Sequence, residues 1–160
     1  MKYRNNKTYP VRVLIATFLI TGILSCTPGP EPIAYGQDQC VYCKMIISER
    51  GYGAELVTQK AKVYKFDSVE CLTAFYLRQD IEPNGIHSMW TVHFSQGDKL
   101  IEAQTCIYLH SDGLRSPMGL NLTAFMDRTV AEEMAAKYGG RLISWQEVQE
   151  LVREKWIDKN

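Results

Sequence analysis

Residues 54–78 read Ala-Glu-Leu-Val-Thr-Gln-Lys-Ala-Lys-Val-Tyr-Lys-Phe-Asp-Ser-Val-Glu-Cys-Leu-Thr-Ala-Phe-Tyr-Leu-Arg. Two β-prone runs, 54–58 and 62–66, flank a short polar connection and predict an antiparallel pair with Val63, Phe66 and Leu56 inward. The period then changes. Asp67-Ser-Val-Glu70 supplies an N-cap residue with an acidic group three positions on, a variant of the capping box. The helix it predicts runs to about Arg78 and buries Cys71, Leu72, Phe75 and Tyr76. Strand, strand, helix is the opening of an α+β unit.

The plan recurs downstream. Strands are predicted over 89–94 and 100–103, across the Gln96-Gly-Asp turn, with a third over 106–110 and then a long loop over 111–126. Thr129-Val-Ala-Glu132 opens a helix that stops at Gly139-Gly140, with Val130, Met134, Ala135 and Tyr138 inward. Leu142-Ile143 forms a short strand. Ser144-Trp-Gln-Glu147 caps a last helix carrying Trp145, Val148, Leu151 and Val152 on one stripe. The expected fold is therefore a small α+β domain over 39–158, built of two β-β-α-β-like units at about 39–86 and 87–158.

The N-terminus is organised differently. Lys2, Arg4, Lys7 and Arg12 precede an apolar stretch from Val13 to Leu24 that is short for a membrane span of about 20 residues. It ends at Ile23-Leu-Ser-Cys26, which looks like a bacterial lipobox with Cys26 as the lipidated residue. Residues 1–25 are read as a lipoprotein signal peptide. Residues 26–38, with three prolines and two glycines, are read as a flexible tether. The expected location is the bacterial cell envelope, lipid-anchored and facing the periplasm or exterior. Without residues 1–25 the balance of 18 basic and 18 acidic groups becomes 14 against 18. A mildly acidic chain gives no support for nucleic-acid binding. The domain is expected to be a monomer.

Five cysteines need an account. With Cys26 assigned to lipid, Cys71 and Cys106 sit among apolar neighbours and read as small buried apolar groups. Cys40-Val-Tyr-Cys43-Lys-Met45 is different, because two thiols and a thioether lie in one short segment. On an extended chain the sulfurs of Cys43 and Met45 would face the same way. Far downstream, Met118 lies between Pro117 and Gly119, an odd place for a core methionine. Soft sulfur donors select monovalent copper over harder metals. The candidate metal ligands are Cys43, Met45 and Met118, with Cys40 as a further candidate. Taken alone, Met45 packs beside Ile46 and Ile47 as readily as it ligates, and Met118 could simply cover the core.

Cys-x-x-Cys by itself also matches a thioredoxin-type redox motif or half of a zinc site. A redox motif is expected at a helix N-terminus, and the sequence predicts no helix directly after Cys43. A zinc site needs a second pair, and His87, His93 and His110 have no ligand-like spacing. They read as solvent-facing or strand-end residues. A thiol–disulfide oxidoreductase using Cys40 and Cys43 stays open as the rival from another class.

Taken together, Cys26, Asp38-Gln-Cys-Val-Tyr-Cys-Lys-Met45, Asp67 before a helix, Ser116-Pro-Met-Gly119 and Lys137-Tyr-Gly-Gly140 resemble the NosL family of copper-binding lipoproteins. The resemblance spans essentially the whole mature chain. It implies a bound Cu(I), no enzymatic turnover, and delivery of copper for maturation of the catalytic centre of nitrous oxide reductase. The implied partners are that reductase or its maturation transporter complex. Cys43 matches the family's metal thiolate, Met118 its loop thioether and Met45 a further ligand. Lys44 departs from the pattern, standing where the family often has Gly. Relatives without the reductase keep a general periplasmic copper carrier as an alternative, and organomercurial-lyase-like chemistry is a weaker one.

Overall fold

The computed structural model describes residues 27–158; the basic N-terminus, the apolar stretch and Cys26 lie outside the described residues. Among these residues the strands form two antiparallel sheets. The first has the order β2-β1-β3-β4, with β1 at Ala54–Thr58, β2 at Val63–Phe66, β3 at Ile86–Val92 and β4 at Leu100–Glu102. The second has the order β6-β5-β7, with β5 at Ile107–His110, β6 at Leu122–Phe125 and β7 at Arg141–Ile143. Helix α1 (Val69–Leu77) connects β2 to β3, α2 (Arg128–Tyr138) connects β6 to β7, and α3 (Trp145–Val152) follows.

Each sheet thus contains the same unit: a strand pair, a helix, and a third strand returning antiparallel to the first of the pair. This is an α+β fold with two β-β-α-β units. β3 belongs to the first unit because it pairs with β1, Leu56 opposite Met89, so the division expected at about 86/87 falls inside this strand.

Several local expectations are corrected. The N-cap of α1 is Ser68 rather than Asp67, its side chain makes no cap bond, and no capping box forms. Helix α2 is capped by Asp127, whose carboxylate accepts from the Val130 amide at 3.1 Å, and not by Thr129. The 111–126 loop contains β6, every residue of which is buried. Val63, expected inward, is only half-buried. The capping box of α3 forms as read: the Ser144 hydroxyl accepts from the Glu147 amide, and the Glu147 carboxylate accepts from the Ser144 amide.

The second sheet explains why so many of its residues are apolar. Tyr108 and Leu109 are neighbours on opposite faces of β5, and both are fully buried. Tyr108 joins Trp145, Val148 and Val152 of α3 in a core shared with Leu56, Phe66, Cys71 and Leu72 of the first unit. Leu109 joins Phe125 and Ala131 under α2. A strand covered on both faces loses the alternation that marks a half-buried one. The shared core places α1 between the first sheet and α3, and the start of α1 is where the sulfur chemistry gathers.

Candidate metal centre

The segment carrying Cys40 and Cys43 is folded back on itself by main-chain bonds. The Cys40 amide donates to the Met45 carbonyl at 2.8 Å, the Ile47 amide to the Asp38 carbonyl at 2.9 Å, and Gln39 bridges Ile46. Between them Val41–Cys43 form a turn closed by the Lys44 amide donating to the Cys40 carbonyl at 3.1 Å. Lys44 completes the reversal with a φ of +67°. The loop is fixed to the first sheet where the Val41 amide donates to the Lys65 carbonyl of β2 at 2.9 Å.

This turn and α1 bring three thiols together. The Sγ atoms of Cys40, Cys43 and Cys71 all lie within 4.8 Å of one another. Cys40 and Cys71 are fully buried and Cys43 is half-buried. A soft ion bonded to three sulfurs at about 2.3 Å would hold them about 4.0 Å apart, so the triangle needs to close by at most about 0.8 Å. Cys71 is the third residue of α1, in the first turn, where the helix dipole favours negative charge.

The electrostatics single out one sulfur as the anion. The Cys40 thiol is pushed down to about 5, first by the hydrogen bond it accepts from the Cys71 thiol. Burial opposes this, and the amides of Cys43 (3.4 Å from the sulfur) and Asp67 support it. Cys71 is raised far above its ordinary range because it is that donor and is buried. Cys43 is raised by burial, against which the Met45 amide pulls it down. Asp67, nearly fully buried, is pushed up to about 6, first by burial and then by the negative charge on Cys40. Amide donors aimed at sulfur, a helix N-terminus and two further thiols form an environment made for thiolates.

The methionines stand apart from this triangle. The chain at Cys43–Met45 turns rather than extends, so the geometry expected to aim both sulfurs the same way is absent. Met45 is 45 % exposed beside Ile46, which is 47 % exposed. Met118 is half-buried against the same core that contains Cys40, Cys43 and Cys71. Its loop is held by a buried polar contact: the Ser116 hydroxyl donates to the Glu70 carboxylate and accepts from the amides of Gly119 at 3.1 Å and Asn121 at 2.9 Å. Glu70 is the residue before Cys71, so the Ser-Pro-Met-Gly turn and the deepest thiol share one support.

The surroundings are aromatic. Tyr42, between the two loop cysteines, stacks on Trp156 with ring centroids 6.2 Å apart, and the Arg78 guanidinium lies 5.8 Å from the Tyr42 ring centre. No histidine joins the sulfur cluster among the described residues, and His93, directly after the end of β3, is buried. Cys106 is buried as expected, its thiol donating to the Glu102 carbonyl at 3.1 Å, away from the cluster. Cys71 is buried as expected too, but sequence reasoning missed that it faces Cys40 and Cys43. Its place in the first turn of a predicted helix, where thiolates are favoured, was the available signal.

Comparison with known proteins agrees with the sulfur chemistry. The chain is 26 % identical over 159 residues to the copper-binding lipoprotein NosL of Stutzerimonas stutzeri, covering 89 % of this chain and 82 % of that one. Its fold matches the crystal structure of the copper chaperone NosL from Shewanella denitrificans with a TM-score of 0.67. That match is at 22 % identity and covers 78 % of this chain and 98 % of that one. The NosL family model matches residues 33–152, three quarters of the sequence, and the chain belongs to the NosL family.

Proposed function

We propose that this chain is a lipid-anchored carrier of monovalent copper in the bacterial cell envelope, without turnover of its own, that delivers the ion for maturation of the catalytic copper centre of nitrous oxide reductase. The observation that carries the reading is the convergence of Cys40, Cys43 and Cys71 within 4.8 Å in a member of the NosL family. Thiolates and thioethers are the donors that Cu(I) prefers. Partial exposure of Cys43 and Met45 leaves a side from which an incoming donor can attack before the old bonds break. Two relatives support the assignment by name, one as a copper-binding lipoprotein and one as a copper chaperone.

The oxidoreductase reading has the wrong sulfur exposed. Attack on a substrate disulfide requires an accessible thiolate. Here the thiolate-prone Cys40 has no exposed surface, while the accessible Cys43 is raised.

Titration of the reduced protein with Cu(I) against a chelating competitor tests the copper reading. The expected result is one tight site, lost in Cys43→Ala and weakened in Met118→Ala; unchanged affinity in Cys43→Ala would falsify the site. For the client, deletion of the gene in its host should leave nitrous oxide reductase short of catalytic copper under copper limitation. Normal loading would leave a general copper carrier. The anchor predicts acyl chains on Cys26 in the intact mass of the membrane-bound protein, and a free Cys26 there overturns it.

A further inference from the structure

We infer that Cys71 is itself a copper ligand, closing with Cys40 and Cys43 a three-sulfur site. The inference rests on the copper-binding reading above.

Cys43 is half-buried, and Cys40 and Cys71 are at 0 %. The three thiols therefore run inward from one sulfur open to solvent to two that are enclosed. They already lie within 4.8 Å of one another, so an ion seated among them needs each pair to close by at most about 0.8 Å. The helix that carries Cys71 is itself tied down, since its Glu70 accepts from Ser116 of the Met118 turn.

Thiolates add charge and hold a soft cation, and the half-buried Cys43 leaves one side of the site open to an incoming donor. No electrons move. Each S–H that becomes S–Cu(I) gives its proton to solvent, and the copper stays monovalent. The buried negative charge is offset by the cation, by the amides of Cys43 and Asp67 at Cys40, and by the first turn of α1 at Cys71.

Anaerobic Cu(I) titration with a chelating competitor, run on the full chain, tests this. Cys71→Ser keeps the shape of the side chain, and Cys71→Ala is measured beside it, with circular dichroism verifying the fold of each. The expected result is at least a ten-fold loss of affinity in the Cys71 variants. The double variant Met45→Ala/Met118→Ala should still take up one equivalent, and adding Cys71→Ser to it should lower that affinity at least ten-fold. Wild-type affinity in Cys71→Ser, or no uptake by the double methionine variant, overturns the three-sulfur site while leaving a copper carrier intact. Absence of uptake by the wild-type protein overturns both.

Discussion

Lys44 sits at a φ of +67°, a region that costs an ordinary residue roughly 1–2 kcal/mol and glycine almost nothing. Glycine would suit this position for a mechanical reason: the chain must reverse here for Cys40 and Cys43 to lie on one side of the turn. Lys44 offsets part of the strain by donating from Nζ to the Val41 carbonyl at 2.6 Å, while Gln39 donates to the Lys44 carbonyl. Lys44→Gly is expected to leave stability unchanged or raise it by up to about 1 kcal/mol, because relief of strain is partly offset by glycine's entropy. A β-branched residue such as Ile should lower the melting midpoint. A clear loss of stability in Lys44→Gly would mean that the Nζ bond matters more than the backbone. At this scale the sequence was half legible. Cys40 and Cys43 announce themselves by adjacency, but Cys71 reaches them only because α1 packs on β1 and β2, a contact no local pattern records.

Among elements, the legible ones carry their signals locally. The capping box of α3 is written in four consecutive residues and forms as read. At α1 the same type of pattern misled, because Glu70 turns into the core instead of back to the cap. There it meets Ser116, and its amide partner Leu122 donates from 3.4 Å away on β6. An acidic residue that looks like a cap is instead a tie between two distant segments. Strand β6 was hidden for the opposite reason, since burial of all four residues erased its alternation. Ser116→Ala should leave Glu70 without its hydroxyl donor and cost about 1–3 kcal/mol. It should also loosen the Met118 turn and, where Met118 takes part in the proposed site, lower copper affinity along with the melting temperature. Wild-type copper affinity in a destabilised Ser116→Ala protein would detach the turn's position from this bond.

In the molecule as a whole, the first sheet carries a buried carboxyl group on the face opposite Leu56. Glu55 of β1 is fully buried; one carboxylate oxygen accepts from the Glu31 amide at 2.9 Å and the other has no partner. Burial pushes this carboxyl up from 4.5 to about 7, with the Glu31 amide and the charge of Lys65 opposing and the charges of Glu31 and Asp38 adding. The folded state therefore keeps a proton that the unfolded chain gives up. The stability this provides is fully present below about 4.5 and is lost as pH rises through about 7. Glu55→Gln does not titrate, so thermal melts of the two proteins should diverge over that window, with the variant the more stable at the alkaline end. Parallel curves would refute the assignment. Nothing in the sequence marks Glu55, which reads as the polar position of an alternating strand until residues 27–35 are laid over it.

The bond from the Val41 amide to β2 has one more effect. It closes the outer side of that strand, so the loop bearing Cys40 and Cys43 is also a shutter over a sheet edge. Unpaired strand edges recruit strands from neighbouring molecules. A loop pried loose bares the Lys65 carbonyl on that edge, and the strand is then open to pairing with another copy of the chain.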